Sequence, residues 1–247
     1  MSNEPAPKKA KVASPQEWLK ARKDLLTEEK ALSRARMAVA EKRQDMPWLK
    51  LEQDYEFINE KGETVKMADL FLPGKDTLLV YHMMFDDTSN TTGCFMCASW
   101  IDGFNGVLPH LLPRTNVVAV GKAGHEKLNV LKATKKWDVN LFSSKGSSFN
   151  HDMGVEFSAE ERKSGEKLYN QGCMPWPWCE QAPGLSVFHK SSDGTIYKTY
   201  DAFGPGLADV HLIFSVLDLI PSGRDEKGPG KSNMWWVKHK EDYGKAE

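Results

Sequence analysis

A long apolar run that ends in a short polar loop and two cysteines constrains the fold more than any other feature of this sequence. Residues 77–85 are almost continuously apolar, as expected for a strand that is buried on both faces of a sheet. Residues 86–93 are polar, and Cys94 and Cys97 follow at the start of a segment with helical periodicity. We therefore expect a buried strand that leads directly to a dithiol at the N-terminus of a helix.

The segments that follow alternate between helix and strand patterns. The helix that begins at Cys94 carries one apolar stripe, and Pro109 is expected to kink it. Residues 116–120 resemble a second buried strand, and residues 125–137 resemble another helix with Val130 among its inward side chains. An order of strand, helix, strand, helix predicts right-handed parallel crossovers and therefore an α/β fold.

A β-hairpin and a further helix are predicted in the last third of the chain. Residues 184–189 and 195–200 have strand character and flank a Ser-Asp-Gly turn. The helix that follows ends before Pro221, and its apolar residues share one side: Leu207, Val210, Phe214 and Leu217.

The N-terminal part of the chain is predicted to form a polar tail and a long amphipathic helix. Residues 1–13 mix Pro, Ala and Lys, bury nothing, and are expected to form a disordered basic tail. Ser14 fits an N-cap, with Glu17 as its capping-box partner. A helix over 14–45 is predicted, which either covers one face of the domain or pairs with a second copy in a homodimer. Its apolar stripe repeats every seven residues: Trp18, Leu25, Leu32 and Val39.

The composition argues against several classes of protein. Lys and Arg number 33 against 34 Asp and Glu, so no net field recruits nucleic acid or an anionic membrane. No stretch approaches the roughly 20 apolar residues of a membrane span, and the polar start does not resemble a secretory signal. Four cysteines in 247 residues do not make a disulfide scaffold. A cytoplasmic location is expected, and the basic residues 7–12 leave nuclear import as an alternative.

Cys94 and Cys97 are the main candidates for chemistry. Backbone N–H groups at a helix N-terminus stabilise an anion, so a thiol there has a lowered pKa and attacks as a thiolate. Two intervening residues place the second sulfur one turn on, where it can attack a mixed disulfide on the first. The pattern predicts Cys94 as the nucleophile and Cys97 as the more buried resolving thiol. Structural or metal-binding cysteines, and a fold without activity, remain alternatives.

The order of a helix-capped dithiol, parallel βαβ units, a hairpin and a closing helix resembles the thioredoxin fold. Pro183 stands where thioredoxins place a cis-proline that faces the dithiol. More closely, the chain resembles a thioredoxin-like family of bacterial and fungal proteins known as the domain of unknown function DUF899. The resemblance implies a thioredoxin-like domain over 46–220, and a C-terminal extension over 221–247 that packs on it. The matching stretches are Glu17-Trp18-Leu19, Met46-Pro47-Trp48, Leu79-Val80-Tyr81-His82-Met83-Met84-Phe85, Gly93-Cys94, Ser99-Trp100-Ile101-Asp102-Gly103-Phe104, Pro183-Gly184-Leu185-Ser186-Val187-Phe188 and Trp236-Val237.

The dithiol favours a thiol–disulfide oxidoreductase that works without a cofactor, and the resemblance to thioredoxins implies that Pro183 shapes its substrate groove. Its partners would be a protein or small-molecule disulfide or peroxide, and a small thiol or reductase as electron donor. Thr91 and Cys94 also resemble the Thr-x-x-Cys of peroxiredoxins, which makes a thiol peroxidase an alternative with Thr91 contacting the peroxide. The chain departs from thioredoxins in having Gly93 before the dithiol and Phe-Met inside it. An inactive binding or scaffold protein is the rival from another class.

Three further residues are candidates for assisting this chemistry. His82 could orient a thiolate or shuttle a proton, although histidines on buried strands usually make a core hydrogen bond. Cys173 and Cys179 flank a stiff loop with two prolines and two tryptophans. That loop either exchanges disulfides with Cys94, walls an apolar pocket over it, or holds ordinary buried thiols. A zinc site built from Cys94, Cys97, Cys173 and Cys179 is a further alternative.

Overall fold

The computed structural model describes residues 11–245, which divide after Pro47 into two compact units. The first unit is helix α1 (Pro15–Gln44), and the predicted capping box is confirmed because Ser14 and Glu17 cap each other. No residue of α1 is buried, so its apolar stripe is exposed to solvent. Residues 1–10, which contain most of the predicted basic tail, lie outside the described residues.

Within the described residues, the second unit contains an eight-stranded sheet. Its strands in chain order are β1 (Leu49–Lys50), β2 (Glu56–Ile58), β3 (Thr64–Lys66), β4 (Thr77–His82), β5 (Asn116–Gly121), β6 (Asn140–Ser143), β7 (Gly184–Lys190) and β8 (Ile196–Phe203). Across the sheet the order is β1-β8-β7-β4-β5-β6-β2-β3. Strands β4, β5 and β6 are parallel, and the other neighbours pair antiparallel. The predicted hairpin is confirmed as β7 and β8.

The helices of the second unit connect these strands or pack at their ends. They are α2 (Phe95–Leu111), α3 (His125–Lys135), α4 (Phe149–Asp152), α5 (Ala159–Ser164), α6 (Tyr169–Gly172) and α7 (Leu212–Leu217). Helices α2 and α3 join β4 to β5 and β5 to β6, which confirms the predicted parallel crossovers. This arrangement is the thioredoxin-like α/β fold, with a long N-terminal helix and an irregular C-terminal extension. No helix among residues 11–245 has both the length and the apolar content needed to cross a membrane.

Strand β4 divides two apolar cores, because successive side chains of a strand point to opposite faces of the sheet. One core contains Tyr81 and Met83 with side chains of α2 and α3, including Cys97. The other contains Val80 with the rings of Phe149 and Phe188. Each side chain of β4 therefore belongs to one face, and only one face meets the helix that carries the dithiol.

The predicted helix over residues 207–217 is broken in two. A 3-10 segment (Gly204–Val210) ends at His211, whose backbone is extended, and α7 begins at the next residue. Gly204 has a φ of +48° and Pro205 follows it, so the segment starts in a tight turn rather than a regular helix. Val130 is 54% exposed, so its predicted inward position is wrong. Pro109 lies inside α2, which continues to Leu111.

Candidate dithiol site

Hydrogen bonds hold the loop between β4 and α2 at several points. The Asp86 carboxylate accepts hydrogen bonds from the backbone N–H groups of Thr88 and Ser89, each 2.9 Å long. The Lys127 ammonium donates to the carbonyl oxygens of Asp86, Asp87 and Ser89. Because the backbone of a turn is held at several points, the residues that follow it begin the helix in a defined position.

Gly93 makes the turn that sets Cys94 at the start of α2. Its φ is +70°, a region that L side chains rarely adopt. A Cβ at this position would also lie 3.3 Å from the Phe85 ring. The positive φ and the close Phe85 ring explain why glycine precedes the dithiol in this chain, where thioredoxins have a tryptophan.

Cys94 is the N-cap residue of α2, and Cys97 lies one turn further along. Cys94 has extended backbone angles and its carbonyl accepts the first helical hydrogen bond from Ala98, at 2.9 Å. Cys94 is half-buried, whereas Cys97 is buried with 1% of its surface exposed. The Cys97 Sγ accepts a hydrogen bond from the Met84 N–H at 3.4 Å. The more accessible sulfur is therefore the one at the helix end.

The pKa of Cys94 is lowered to about 7. The largest cause is a hydrogen bond from the Cys97 side chain; burial opposes it, and the N–H groups of Cys97 and Met96 lower the pKa further. These donors surround the sulfur because the first N–H groups of a helix have no partner inside the helix. Cys94 therefore carries a substantial thiolate fraction near neutral pH.

The pKa of Cys97 moves in the opposite direction, well above its ordinary value. Its hydrogen bond to Cys94 is the largest cause, and burial and the charge of Cys94 add to it. The N–H of Met84, which donates to the sulfur, and the nearby hydroxyl of Tyr81 act against the rise. The pKa values of the two thiols are thus shifted in opposite directions.

Two tyrosines whose pKa values respond to the charge of Cys97, Tyr81 and Tyr169, were not identified from the sequence. Tyr81 is buried, and its pKa is raised well above the ordinary value, first by burial and then by the charge of Cys97. Burial also raises the pKa of Tyr169, and the charge of Cys97 contributes. The Tyr169 hydroxyl donates to the carbonyl of Pro183 and accepts from the N–H of Gly204 at 2.8 Å.

His82 lies on the face of the sheet away from the dithiol. Its Nε2 is 2.8 Å from the Ser186 hydroxyl, and its ring packs against Phe149. Burial lowers its pKa to about 3, so the ring is neutral. The predicted assistance from His82 is corrected here, because Tyr81 and His82 are adjacent in β4 and only Tyr81 points towards Cys97. The core hydrogen bond, which was the alternative, is present.

The remaining predicted residues border the site to different extents. Pro183 is half-buried, and its carbonyl accepts a hydrogen bond from the Tyr169 hydroxyl. Among residues 11–245 no peptide bond is cis, so Pro183 does not match the cis-proline of thioredoxins. Thr91 is exposed in the loop before Cys94.

The cysteine-flanked loop does not bring four thiols together. Cys173 and Cys179 are both exposed and form no disulfide, so the prediction that they are ordinary buried thiols is wrong. The pKa of Cys179 is raised by its partial burial, and the charge of Cys94 also contributes. Trp176 packs on Tyr169 with ring centroids 4.9 Å apart. Within the described part of the chain, no three His, Cys, Asp or Glu side chains are placed to hold a metal ion, so the four-cysteine zinc site is not formed.

Several solved structures align with about two thirds of this chain at low sequence identity. A mutant of Xanthomonas campestris peroxiredoxin Q aligns at a TM-score of 0.45 with 11% identity, over 66% of this chain and 89% of that one. Peroxidoxin BcpB from Mycobacterium tuberculosis gives 0.41 and 12%, over 67% and 92%. The reduced Plasmodium vivax 2-Cys peroxiredoxin gives 0.39 and 16%, over 70% and 93%.

A search of curated proteins found no match to this chain. The family described as "Bacterial protein of unknown function (DUF899)" matches residues 7–243, which include α1, the sheet and the dithiol. This match covers nearly the whole sequence and agrees with the resemblance seen in its motifs. The chain therefore belongs to the DUF899 family.

Proposed function

We propose that the protein is a thiol–disulfide oxidoreductase in which Cys94 attacks and Cys97 resolves. The observation that carries the proposal is the placement of the two cysteines: Cys94 is the half-buried N-cap residue of α2, and the buried Cys97 lies one turn further along. The free N–H groups of a helix N-terminus stabilise a thiolate, which is the nucleophilic form of cysteine. A lowered pKa at one thiol beside a raised pKa at the other is typical of functional sites rather than of cysteines that serve only the structure.

The reaction balances with the two thiols alone. The Cys94 thiolate attacks one sulfur of a disulfide R–S–S–R′, which forms Cys94–S–S–R and releases R′–S⁻. The Cys97 thiol then passes its proton to the released thiolate and attacks the Cys94 sulfur, which releases R–S⁻. The protein has lost two electrons and now holds a Cys94–Cys97 disulfide, and the substrate has gained both electrons as R′–SH and R–S⁻.

A small thiol or a reductase would return the protein to the dithiol form, and no cofactor takes part. The same thiolate would attack the O–O bond of a peroxide, with Thr91 at the loop edge, so peroxides form a second substrate class to be tested. We place this cycle in the cytoplasm, where close cysteine pairs serve redox chemistry more often than structure.

Stoichiometric oxidation tests the proposal. Reduced protein is mixed with one equivalent of an aromatic disulfide or of hydrogen peroxide, quenched by acid, and mapped by peptide mass spectrometry. We expect a loss of two hydrogen masses and a single disulfide that joins Cys94 to Cys97, because the other two thiols are a separate pair on an exposed loop.

The Cys173→Ser/Cys179→Ser double variant is the matched control and should oxidise at the wild-type rate. Oxidation of the wild-type protein only at Cys173 or Cys179, with Cys94 left as a thiol, would contradict the proposal. It would favour the alternative that the protein is an inactive binding or scaffold protein. The ratio of the rates with disulfide and with peroxide decides between the two substrate classes.

A further inference from the structure

A buried serine and histidine lie next to the dithiol on the side of α2 away from the sheet. The Ser99 hydroxyl donates to the carbonyl oxygen of Met96 at 2.7 Å, and the Nε2 of His211 lies 2.9 Å from the same hydroxyl. Only 9% of Ser99 and 3% of His211 is exposed. A serine in a helix often bonds to a carbonyl of the preceding turn, but a second, buried partner for its hydroxyl calls for an explanation.

The direction of these hydrogen bonds follows from counting protons. A hydroxyl has one proton, and Ser99 gives it to the Met96 carbonyl, so its oxygen accepts a hydrogen bond from the Nε2–H of His211. This tautomer leaves Nδ1 without a proton, and Nδ1 has no hydrogen-bond donor among residues 11–245. Burial lowers the pKa of His211 to about 4, so the ring stays neutral in the working range.

The break in the predicted C-terminal helix brings His211 to this position. The extended backbone at His211 turns its ring towards α2, where it meets Trp100 edge-on at 4.1 Å and stacks on Phe214 at 4.7 Å. The Trp100 indole N–H donates to the Leu207 carbonyl at 3.1 Å, which ties the same segment to α2. His211 is thus held in one orientation by rings on both sides.

The Met96 carbonyl connects this pair to the dithiol. It belongs to the same peptide group as the N–H of Cys97, which is the third N–H of α2, faces the N-cap residue Cys94 and lowers the pKa of its thiol. A donor on the carbonyl oxygen draws electron density through the peptide and makes its N–H a stronger donor, as in other hydrogen-bonded chains. The bonds from His211 to Ser99 and from Ser99 to Met96 run in one direction, so they reinforce one another.

We propose that Ser99 and His211 are positioning residues of the dithiol, which make the Cys97 amide a stronger donor towards the Cys94 thiolate. This inference rests on the proposed function, since it assigns these residues to the activation of Cys94. Neither side chain touches the reacting sulfur in this arrangement, and both act through the Met96–Cys97 peptide. Their removal therefore changes the acidity of Cys94 rather than the identity of the nucleophile.

The test is the pH dependence of Cys94 alkylation by iodoacetamide in a set of variants, read by peptide mass spectrometry. Ser99→Ala should raise the apparent pKa of Cys94 by about 0.5, so the thiolate at pH 6 falls roughly threefold. Ser99→Thr keeps the hydroxyl and should retain the wild-type profile. Its added methyl group has room, because Ser99 and His211 line a cavity of about 470 Å³.

His211→Phe keeps the packing against Trp100 and Phe214 and should give a smaller rise than Ser99→Ala. The double variant should match Ser99→Ala alone, since His211 acts only through Ser99. Ser192→Ala, in the exposed turn between β7 and β8, is the control and should leave the profile unchanged.

Two outcomes separate the inference from the function on which it rests. A low wild-type pKa that Ser99→Ala and His211→Phe leave unchanged overturns the inference and leaves the proposed function standing. A wild-type pKa near the ~8.5 of a free thiol removes the basis of both. If Ser99→Ala does not fold, His211→Phe decides the inference by itself, with thermal unfolding as the check on its fold.

Discussion

Replacing Cys94 with serine should abolish the proposed disulfide reduction, with an expected loss of more than about 1,000-fold in turnover. A serine hydroxyl stays protonated at neutral pH, so the N-terminus of α2 has no anion to stabilise at this position. The measurement is steady-state reduction of an aromatic disulfide with dithiothreitol as the electron donor. Cys173→Ser, on the exposed loop, is the matched control and should retain turnover.

Cys97→Ser should separate the two steps of the same reaction. The Cys94 thiolate can still attack, but no thiol resolves the product, so a mixed disulfide between Cys94 and half of the substrate accumulates. Intact-mass spectrometry measures it as one added substrate half per chain. Full turnover in Cys94→Ser, or a mixed disulfide that forms on Cys97 instead of Cys94, would contradict the assigned roles.

The largest expected loss of stability follows from removing the partner of a buried lysine. The Lys135 ammonium is 2.8 Å from the Glu241 carboxylate, and only 1% of the Lys135 side chain is exposed. Glu241→Ala leaves this charge buried and unpaired, which should lower the free energy of unfolding by about 3 kcal/mol. This is the low end of the range for buried pairs, because Glu241 itself keeps 34% of its side chain exposed.

Urea unfolding measures this loss, and two variants control it. Asp242→Ala breaks a solvent-exposed pair with Lys245 in the same segment and should cost far less than Glu241→Ala. Adding Lys135→Met to Glu241→Ala removes the buried charge and should recover most of the loss. Equal costs for Glu241→Ala and Asp242→Ala would show that the buried pair does not anchor the C-terminal segment.

That anchor matters for the dithiol because the same segment passes over α2. Lys240 donates to the Lys135 carbonyl and to the Asp102 carboxylate, at 2.6 and 2.7 Å. Met234 and Val237 are buried in the core on the α2 side of the sheet. The extension, which is polar and glycine-rich in sequence, is therefore held to the domain by a few apolar side chains and by lysine contacts.

The parts of the site that sequence predicted are those encoded by neighbouring residues. The apolar run of β4, the polar loop and the Cys94–Cys97 spacing lie in one continuous stretch, and the structure keeps that order. The same apolar run explains the error at His82. A strand buried on both faces has no polar alternation, so its sequence does not reveal which side chains face the dithiol helix.

The parts that sequence missed depend on contacts between distant segments. Ser99 and His211 are 112 residues apart, and no local periodicity links them. Tyr169, whose pKa responds to the charge of Cys97, lies in a turn whose sequence has no helix or strand pattern. The position of His211 was also not predicted, because a continuous helix was expected there. The turn at Gly204 breaks that helix and changes the direction of the histidine side chain.

The pH dependence of alkylation at each cysteine tests the central claim most directly. Iodoacetamide is applied between pH 5 and 10, on the order of minutes, and each thiol is quantified by peptide mass spectrometry. The account predicts that Cys94 reacts with an apparent pKa of about 7 while Cys97 stays unreactive until much higher pH. If Cys94 titrates near the ~8.5 of an ordinary thiol, or if Cys97 reacts first, the helix-capped thiolate does not exist and the proposed reaction loses its nucleophile.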